Sequence, residues 1–273
     1  MPKTQRLFHA GLYLYAFGSF AAGIFDLIWG NFDAAHQPIQ AWGDSIPHIA
    51  VFAYVTGVWM VSGAVAILWR RSERTGGAIL AVVYFVFALF WLPRFYSAAH
   101  YLGGTIPVYI GVVGGVGTEL IAFAAGALIW ASLDGRESPS LLVAATMRWI
   151  FGICAIGFGL AQLTDVKDSL MFVPKWLPPG AEFWVIFTGV CFVLSGLAIL
   201  SGVLDVLAAS LLGLMFLVFN VTILPSFIFA NPKNHAAWGG NAYNLAAVGS
   251  SWILAAAIAR RRDTASEPRL VEL

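Results

Sequence analysis

Long runs of apolar residues, separated by short polar segments, dominate the pattern along the chain. Eight runs are long enough, or nearly so, to cross a bilayer, which takes about 20 apolar residues at a rise of about 1.5 Å per residue. The runs show little amphipathic period, as expected of helices that are apolar on all sides. The predicted spans are residues 7–29, 48–69, 76–92, 106–133, 149–164, 183–204, 206–224 and 242–259.

The eight runs form one pattern of four that occurs twice. Matching residues recur at an offset of 139, then 132, then 125, and each drop lies across a loop. Tandem duplication with loop trimming leaves such a pattern, and an even number of spans relates the copies by an axis along the membrane normal. The matching pairs are Gly18 and Gly157, Asp26 and Asp165, Thr56 and Thr188, Pro93 and Pro225, and Glu119 and Asn244.

The repeat defines the predicted architecture. We expect an all-α polytopic membrane protein whose eight transmembrane helices form two repeated four-helix bundles. Residues 1–133 would form the first bundle and residues 148–260 the second. A cytoplasmic linker, residues 134–147, would join them, and residues 261–273 would form a cytoplasmic tail.

Composition and charge agree with a bilayer environment. Hydrophobic residues make up 60% of the chain and charged residues only 11%, whereas a soluble domain has roughly 25% charged residues. The net charge of +1 argues against nucleic acid as a partner. The two cysteines form no C-x-x-C motif, so the sequence indicates neither a redox motif nor a zinc site.

The positive charges predict the orientation. With a cytoplasmic N-terminus, 11 of the 15 lysines and arginines fall on the inner side and 4 on the outer side. The positive-inside rule therefore places both termini in the cytoplasm. We expect a multi-pass protein of a bacterial-type plasma (inner) membrane. The inner set is Lys3, Arg6, Arg70, Arg71, Arg74, Arg136, Arg148, Arg260, Arg261, Arg262 and Arg269, and the outer set is Arg94, Lys167, Lys175 and Lys233.

Three strings in the second copy carry a family resemblance: FVPKWLPP at residues 172–179, FWVIFTG at 183–189 and LSGL at 194–197. They are similar to the DoxX-like membrane proteins, which have four helices and a proline-containing outer loop after the first. Members of that family have been linked to thiosulfate:quinone oxidoreductase as a small membrane subunit. The resemblance implies a redox setting with quinone as a ligand, although this chain fuses two bundles and has neither a cysteine pair nor a haem-type histidine pair.

Polar residues at membrane depth are the candidate functional residues, because such groups are costly in lipid and usually mark function. Glu119 is the clearest case, at about 22 Å from the inner boundary by helical rise. Asn244 and Asn220 lie at similar depths, and Asp26 and Asp165 lie near the outer ends of their helices. His48 heads the second span, where an interfacial cap is the alternative interpretation.

Comparison of the copies links Glu119 to Arg94. The second copy has Asn244 and Ser226 at the matching positions, so the acid and the base are lost together. Loss of only one partner would leave an unpaired buried charge, at a cost of about 3–5 kcal/mol. We therefore predict an Arg94–Glu119 ion pair in an outward-facing polar pocket. A purely structural tie between helices is the alternative for Glu119.

Three functions remain open at this level. The first is an auxiliary, non-catalytic subunit of a membrane redox assembly that has a redox partner protein, with quinone or a small sulfur species at the outer face. The second is a protein that binds or transports a small or lipidic molecule, and the third is a membrane scaffold for a partner. No nucleophile–base pair, zinc motif or phosphate loop supports autonomous catalysis. The candidate pocket residues are Glu119, Arg94, His48, Asp26, Asn244, Asn220 and Asp165.

Overall fold

The computed structural model describes residues 3–33, 46–132 and 140–266, and these residues form helices without strands. Eight helical stretches are long and apolar enough to cross a membrane. The prediction of an all-α protein with eight spanning helices is therefore confirmed. The helices are α1 (Lys3–Trp29), α2 (Ile49–Leu68), α3 (Glu73–Trp91), α4 (Arg94–Leu102), α5 (Ile106–Ala131), α6 (Leu141–Thr164), α7 (Val166–Ser169), α8 (Ala181–Ser201), α9 (Asp205–Thr222), α10 (Leu224–Ala230) and α11 (His235–Ser266).

Two spans extend well beyond their predicted limits. Helix α6 begins at Leu141, inside the predicted linker, because the Ser140 side chain accepts a hydrogen bond from the Val143 N–H and caps the helix. Helix α11 begins at His235, before the predicted start at residue 242, and runs into the predicted tail. Its segment 235–241 contains no proline, and Asn234 accepts hydrogen bonds at its start. The division into domains itself stays a prediction.

The spanning helices form two rings that share a central pair. Each helix packs on the next spanning helix in the chain, α11 packs on α1, and α11 also packs on α5. The first ring is α1, α2, α3, α5 and α11, and the second ring is α5, α6, α8, α9 and α11. The two bundles are thus joined rather than separate, since the last helix of each half packs against the first helix of the other half.

The contact between α1 and α11 is the most extensive in the molecule, and glycines make it possible. A Cβ atom at Gly11 would lie 2.8 Å from the Gly249 carbonyl oxygen, and one at Gly18 would lie 2.6 Å from the Ala242 carbonyl oxygen. Small residues let helix backbones approach closely in a membrane. Glycines at these positions therefore allow the backbones of α1 and α11 to come into close contact.

Matching residues of the two halves occupy comparable places. Pro93 lies between α3 and the short helix α4, and Pro225 lies in the first turn of the short helix α10, directly after α9. Gly57 on α2 packs against α1 at Gly23 and Leu27, and Gly189 on α8 packs against α6 at Gln162 and Leu163. These placements fit a duplication, which stays a prediction.

Most of the basic residues lie at one end of the spans. Arg74 donates to the Trp130 carbonyl, Arg148 to the Leu200 carbonyl and Arg262 to the Gly202 carbonyl, while Arg260 lies over the Phe8 ring. Arg136 and Arg269 fall outside the described residues. Charges gathered at one end are typical of a cytoplasmic face, but the orientation in the membrane stays a prediction.

Candidate functional site

Three buried carboxylates lie in the first ring. Asp26 on α1, Asp33 just after α1 and Glu119 on α5 are 1%, 2% and 0% exposed, and Asp26 and Asp33 both interact electrostatically with Glu119. We call these three residues the acidic cluster. Buried charges of one sign are expensive unless cations and hydrogen bonds offset them. The cations and hydrogen-bond donors around the acidic cluster therefore determine how much the cluster destabilises the first ring.

Arg94 is the cation beside the acidic cluster. It follows Pro93 at the start of α4, and its guanidinium lies 4.2 Å from the centre of the Trp91 ring. Burial lowers the pKa of Arg94, and the Asp33 carboxylate opposes that shift. Stacking on the indole and attraction to the carboxylate both offset the cost of burying this charged guanidinium.

The predicted Arg94–Glu119 ion pair is not formed among the described residues. Arg94 interacts with Asp33, whereas Glu119 interacts with the Trp91 side chain, and neither Glu119 oxygen accepts a hydrogen bond of ordinary geometry. Both residues interact with Asp33 and with the Trp91 side chain, but not with each other as an ion pair. The copy comparison could not include Asp33, which lies after α1 and is in none of the matching pairs.

The backbone of α11 leaves room for the Asp33 side chain. A Cβ atom at Gly239 on α11 would overlap the Asp33 carboxylate group. Glycine at this position therefore lets the loop after α1 press against the last helix. The last helix of the second half therefore packs against the acidic cluster of the first half.

Sequence reasoning missed several polar residues near the cluster. His235 at the start of α11 places Nε2 3.8 Å from Asp26 Oδ1, and its ring stacks flat on Trp29 at 4.7 Å between ring centres. Ser19 and Tyr84 share a hydrogen bond of 2.8 Å between their hydroxyl groups. The predicted start of the last span at residue 242 placed His235 in the preceding loop. Ser19 and Tyr84 lie inside apolar runs that conceal them.

The second ring contains a groove of about 1250 Å³. It follows the seam between α8 and α9, where Cys191 and Ala198 face Leu207, Leu211 and Met215. Its lining residues come mainly from α5, α6, α7, α8, α9, α10 and α11 and from the segment 171–177. Most of the lining residues are apolar, so the groove suits a hydrocarbon chain along most of its length.

Polar groups gather at one end of the groove. Gln162 Nε2 donates to Thr188 Oγ1 over 3.2 Å, and Asn244 Nδ2 donates to the Gly240 carbonyl over 3.0 Å. Gln162 Oε1 is buried and has no hydrogen-bond partner among the described residues. An unpaired buried acceptor is uncommon and calls for an explanation, such as a bound donor. Asp165 also lines this end, where it accepts from the Asp168 N–H at the start of α7.

The predicted pocket residues fall into three groups. Asp26, Arg94 and Glu119 belong to the buried region of the first ring, and Asp165 and Asn244 line the groove of the second ring. The remaining two residues line neither place. Asn220 donates to Asn241 over 2.7 Å and ties α9 to α11, and His48 is exposed before α2 in a left-handed conformation, φ 56°.

A family comparison bears on the second half. Residues 143–224 match the model of the DoxX family, a stretch that runs from α6 through α9. The chain therefore carries a DoxX domain, and the resemblance drawn from residues 172–197 is confirmed. No curated protein and no solved structure gives a significant match. In the part of the chain that the structure describes, no three His, Cys, Asp or Glu side chains are arranged to hold a metal ion.

Proposed function

For this DoxX-family membrane protein we propose that the groove of the second ring binds a quinone, and that the protein serves as a non-catalytic, auxiliary subunit of a membrane redox assembly. The observation that carries the proposal is the groove itself. It is long and apolar, and its hydrogen-bonding groups gather mainly at one end. That distribution matches an amphiphile with a polar head and a hydrocarbon tail.

The dimensions of the groove support a tail of substantial length. Its lining on α9 runs from Leu207 to Thr222, which is about 22 Å at the rise of an α-helix. Its position between α8 and α9 opens it sideways, towards lipid, so a ligand of the bilayer would enter without crossing water. An isoprenoid tail would pack against Leu211 and Met215.

The polar end offers partners for a ring that exchanges protons. The unpaired Gln162 Oε1 would accept a hydrogen bond from a quinol hydroxyl. The Asn244 amide would be a second polar contact for the ring. No described nucleophile–base pair lies here, so the proposal assigns binding to this chain and the redox chemistry to a partner protein.

A phospholipid or another acyl lipid is the second candidate, because most of the lining is apolar. It would make the protein a lipid-binding or transport protein. The two ligands differ at the head. A quinol ring needs only a few hydrogen bonds, whereas a phosphate group needs cations, and no lysine or arginine lines the groove.

The test is purification in mild detergent, extraction with organic solvent and identification of the retained molecules by mass spectrometry. Leu211→Trp should fill the groove and lower the retained quinone at least tenfold. Leu197→Trp is the matched control, because both leucines are 51% exposed and Leu197 lies outside the groove. Equal quinone retention in both variants would reject the site, and retention of acyl lipid alone would favour the second candidate.

We also propose that both termini are cytoplasmic and that the protein resides in the plasma membrane of a bacterial-type cell. Arg71 and Lys233 are exposed at opposite ends of the spans. With Cys154 and Cys191 replaced by Ala, Lys233→Cys should react with a membrane-impermeant maleimide in intact cells. Arg71→Cys should react only after permeabilisation, and the reverse result would invert the topology.

A further inference from the structure

A second, smaller cavity of about 380 Å³ lies near the start of α6, whereas the polar end of the groove lies near the end of that helix. Leu128 of α5, Ala144 of α6, and Leu254 and Ile258 of α11 form its apolar wall. Three arginines complete the lining: Arg148, Arg261 and Arg262. The cavity thus combines an apolar wall with three cationic side chains.

One buried carboxylate organises two of the arginines. Asp205 is the first residue of α9, and its oxygens lie 2.6 Å from Arg262 Nη2 and 3.6 Å from Arg148 Nη1. The same arginines donate to the Gly202 and Leu200 carbonyls at the end of α8. These bonds hold the guanidinium groups at the cavity before any ligand arrives.

The charges do not cancel. Three arginines and one aspartate line the cavity, so two positive charges remain in excess (three minus one). Arg261 makes no ion pair with any residue that the structure describes. Arginine has five N–H donors, and Arg148 and Arg262 use only some of theirs on Asp205 and the α8 carbonyls. Donors and charge are therefore available to an anion.

We propose that this cavity is a binding site for a phosphate-bearing anion, and that the headgroup of an anionic phospholipid supplies it. The planar fork of a guanidinium suits phosphate oxygens, and basic pockets between membrane helices bind anionic headgroups. The apolar wall would accept the start of the lipid chains. A soluble phosphate ion offers the same chemistry without the chains. The proposal does not depend on the quinone groove.

The experiment measures the melting temperature of the full-length purified protein in detergent with added lipid. Phosphatidylglycerol should raise it by roughly 5 °C more than phosphatidylcholine of the same chains, and added salt should weaken the effect. Inorganic phosphate alone is the third arm. A rise equal to that from phosphatidylglycerol would support the phosphate site and identify soluble phosphate as its occupant.

Arg261→Gln is the decisive variant, because Arg262→Gln would also leave Asp205 without its closest cation and could unfold the chain. Arg261→Gln should remove most of the extra rise given by phosphatidylglycerol. Arg71→Gln changes an exposed arginine outside the cavity and should keep it. Equal rises with both lipids, or a full phosphatidylglycerol effect in Arg261→Gln, would overturn the proposal.

Discussion

The two rings have the same helix pairing but differ in polarity at several matching positions. In the first ring, Ser19 and Tyr84 share a hydrogen bond across α1 and α3. At the matching positions of the second ring, offsets of 139 and 132, Phe158 and Phe216 pack edge to face. A polar contact in one half thus corresponds to an aromatic contact in the other.

The same contrast holds at the carboxylates. Asp26 is buried near His235, whereas its counterpart Asp165 is partly exposed and caps α7. Glu119 is fully buried, whereas Asn244 lines the groove. The hydrogen bond between Ser19 and Tyr84 ties α1 to α3, and apolar walls leave room for a hydrocarbon chain. Under the proposed function, the first ring would stabilise the molecule and the second ring would bind the ligand.

The largest effect is expected from Arg94→Leu in the first ring. The change removes the cation beside Asp33 and leaves a buried carboxylate without it, which should cost about 3–5 kcal/mol of unfolding free energy. Thermal or denaturant unfolding in detergent would measure it. Lys167→Leu is the control, since that cation is exposed at the same end of the second half and should change little. Similar losses in both variants would contradict a special role for Arg94.

The next effect compares two matching glycines. A Cβ at Gly18 would lie 2.6 Å from the Ala242 carbonyl oxygen, whereas the nearest atom to a Cβ at Gly157 would lie 3.5 Å away. Gly18→Ala should therefore cost about 1–3 kcal/mol through overpacking. Gly157→Ala should be neutral or stabilise by up to about 1 kcal/mol, because alanine favours a helix. Thermal unfolding of the two variants measures both effects. Equal losses of stability would contradict the difference in packing between Gly18 and Gly157.

A smaller effect tests the polar contact itself. Tyr84→Phe removes one hydroxyl and leaves Ser19 without its partner, at a cost of about 1 kcal/mol. The double variant Ser19→Ala with Tyr84→Phe should lose less than the sum of the two single variants. Unfolding free energies of the four proteins give the coupling directly. Strict additivity would mean that the hydrogen bond contributes nothing to stability.

The sequence was informative about the spans and less so about their partners. Apolar runs predicted eight crossings, since the cost of burying backbone in lipid leaves helices as the natural solution. Nothing in such runs shows that α11 packs on α1, because helices that are apolar all round carry no periodic mark of their neighbours. The groove was not foreseen either, since a gap between α8 and α9 depends on side-chain packing.

The candidate site shows the same limit. Copy comparison singled out Arg94 and Glu119 together, and both do lie in the buried region of the first ring. It paired them directly because it had no means to place Asp33, which comes from a loop, or Trp91, which has an apolar isoleucine at its matching position. Long-range contacts of loop residues cannot be inferred from offsets between repeats.

The smallest effect is expected from Glu119→Gln, and it separates the two accounts of this residue. Among the described residues, Glu119 has no ion pair with Arg94, and the carboxylates of Asp26 and Asp33 act on it unfavourably. A neutral amide of the same shape removes that repulsion, so stability should change by no more than about 1 kcal/mol. The double variant Arg94→Leu with Glu119→Gln should then have an unfolding free energy within about 1 kcal/mol of that of Arg94→Leu alone. If Glu119→Gln instead destabilised the protein as much as Arg94→Leu, and the double variant recovered much of the loss, Glu119 would be the partner of Arg94 after all, and the two rings would differ by one ion pair.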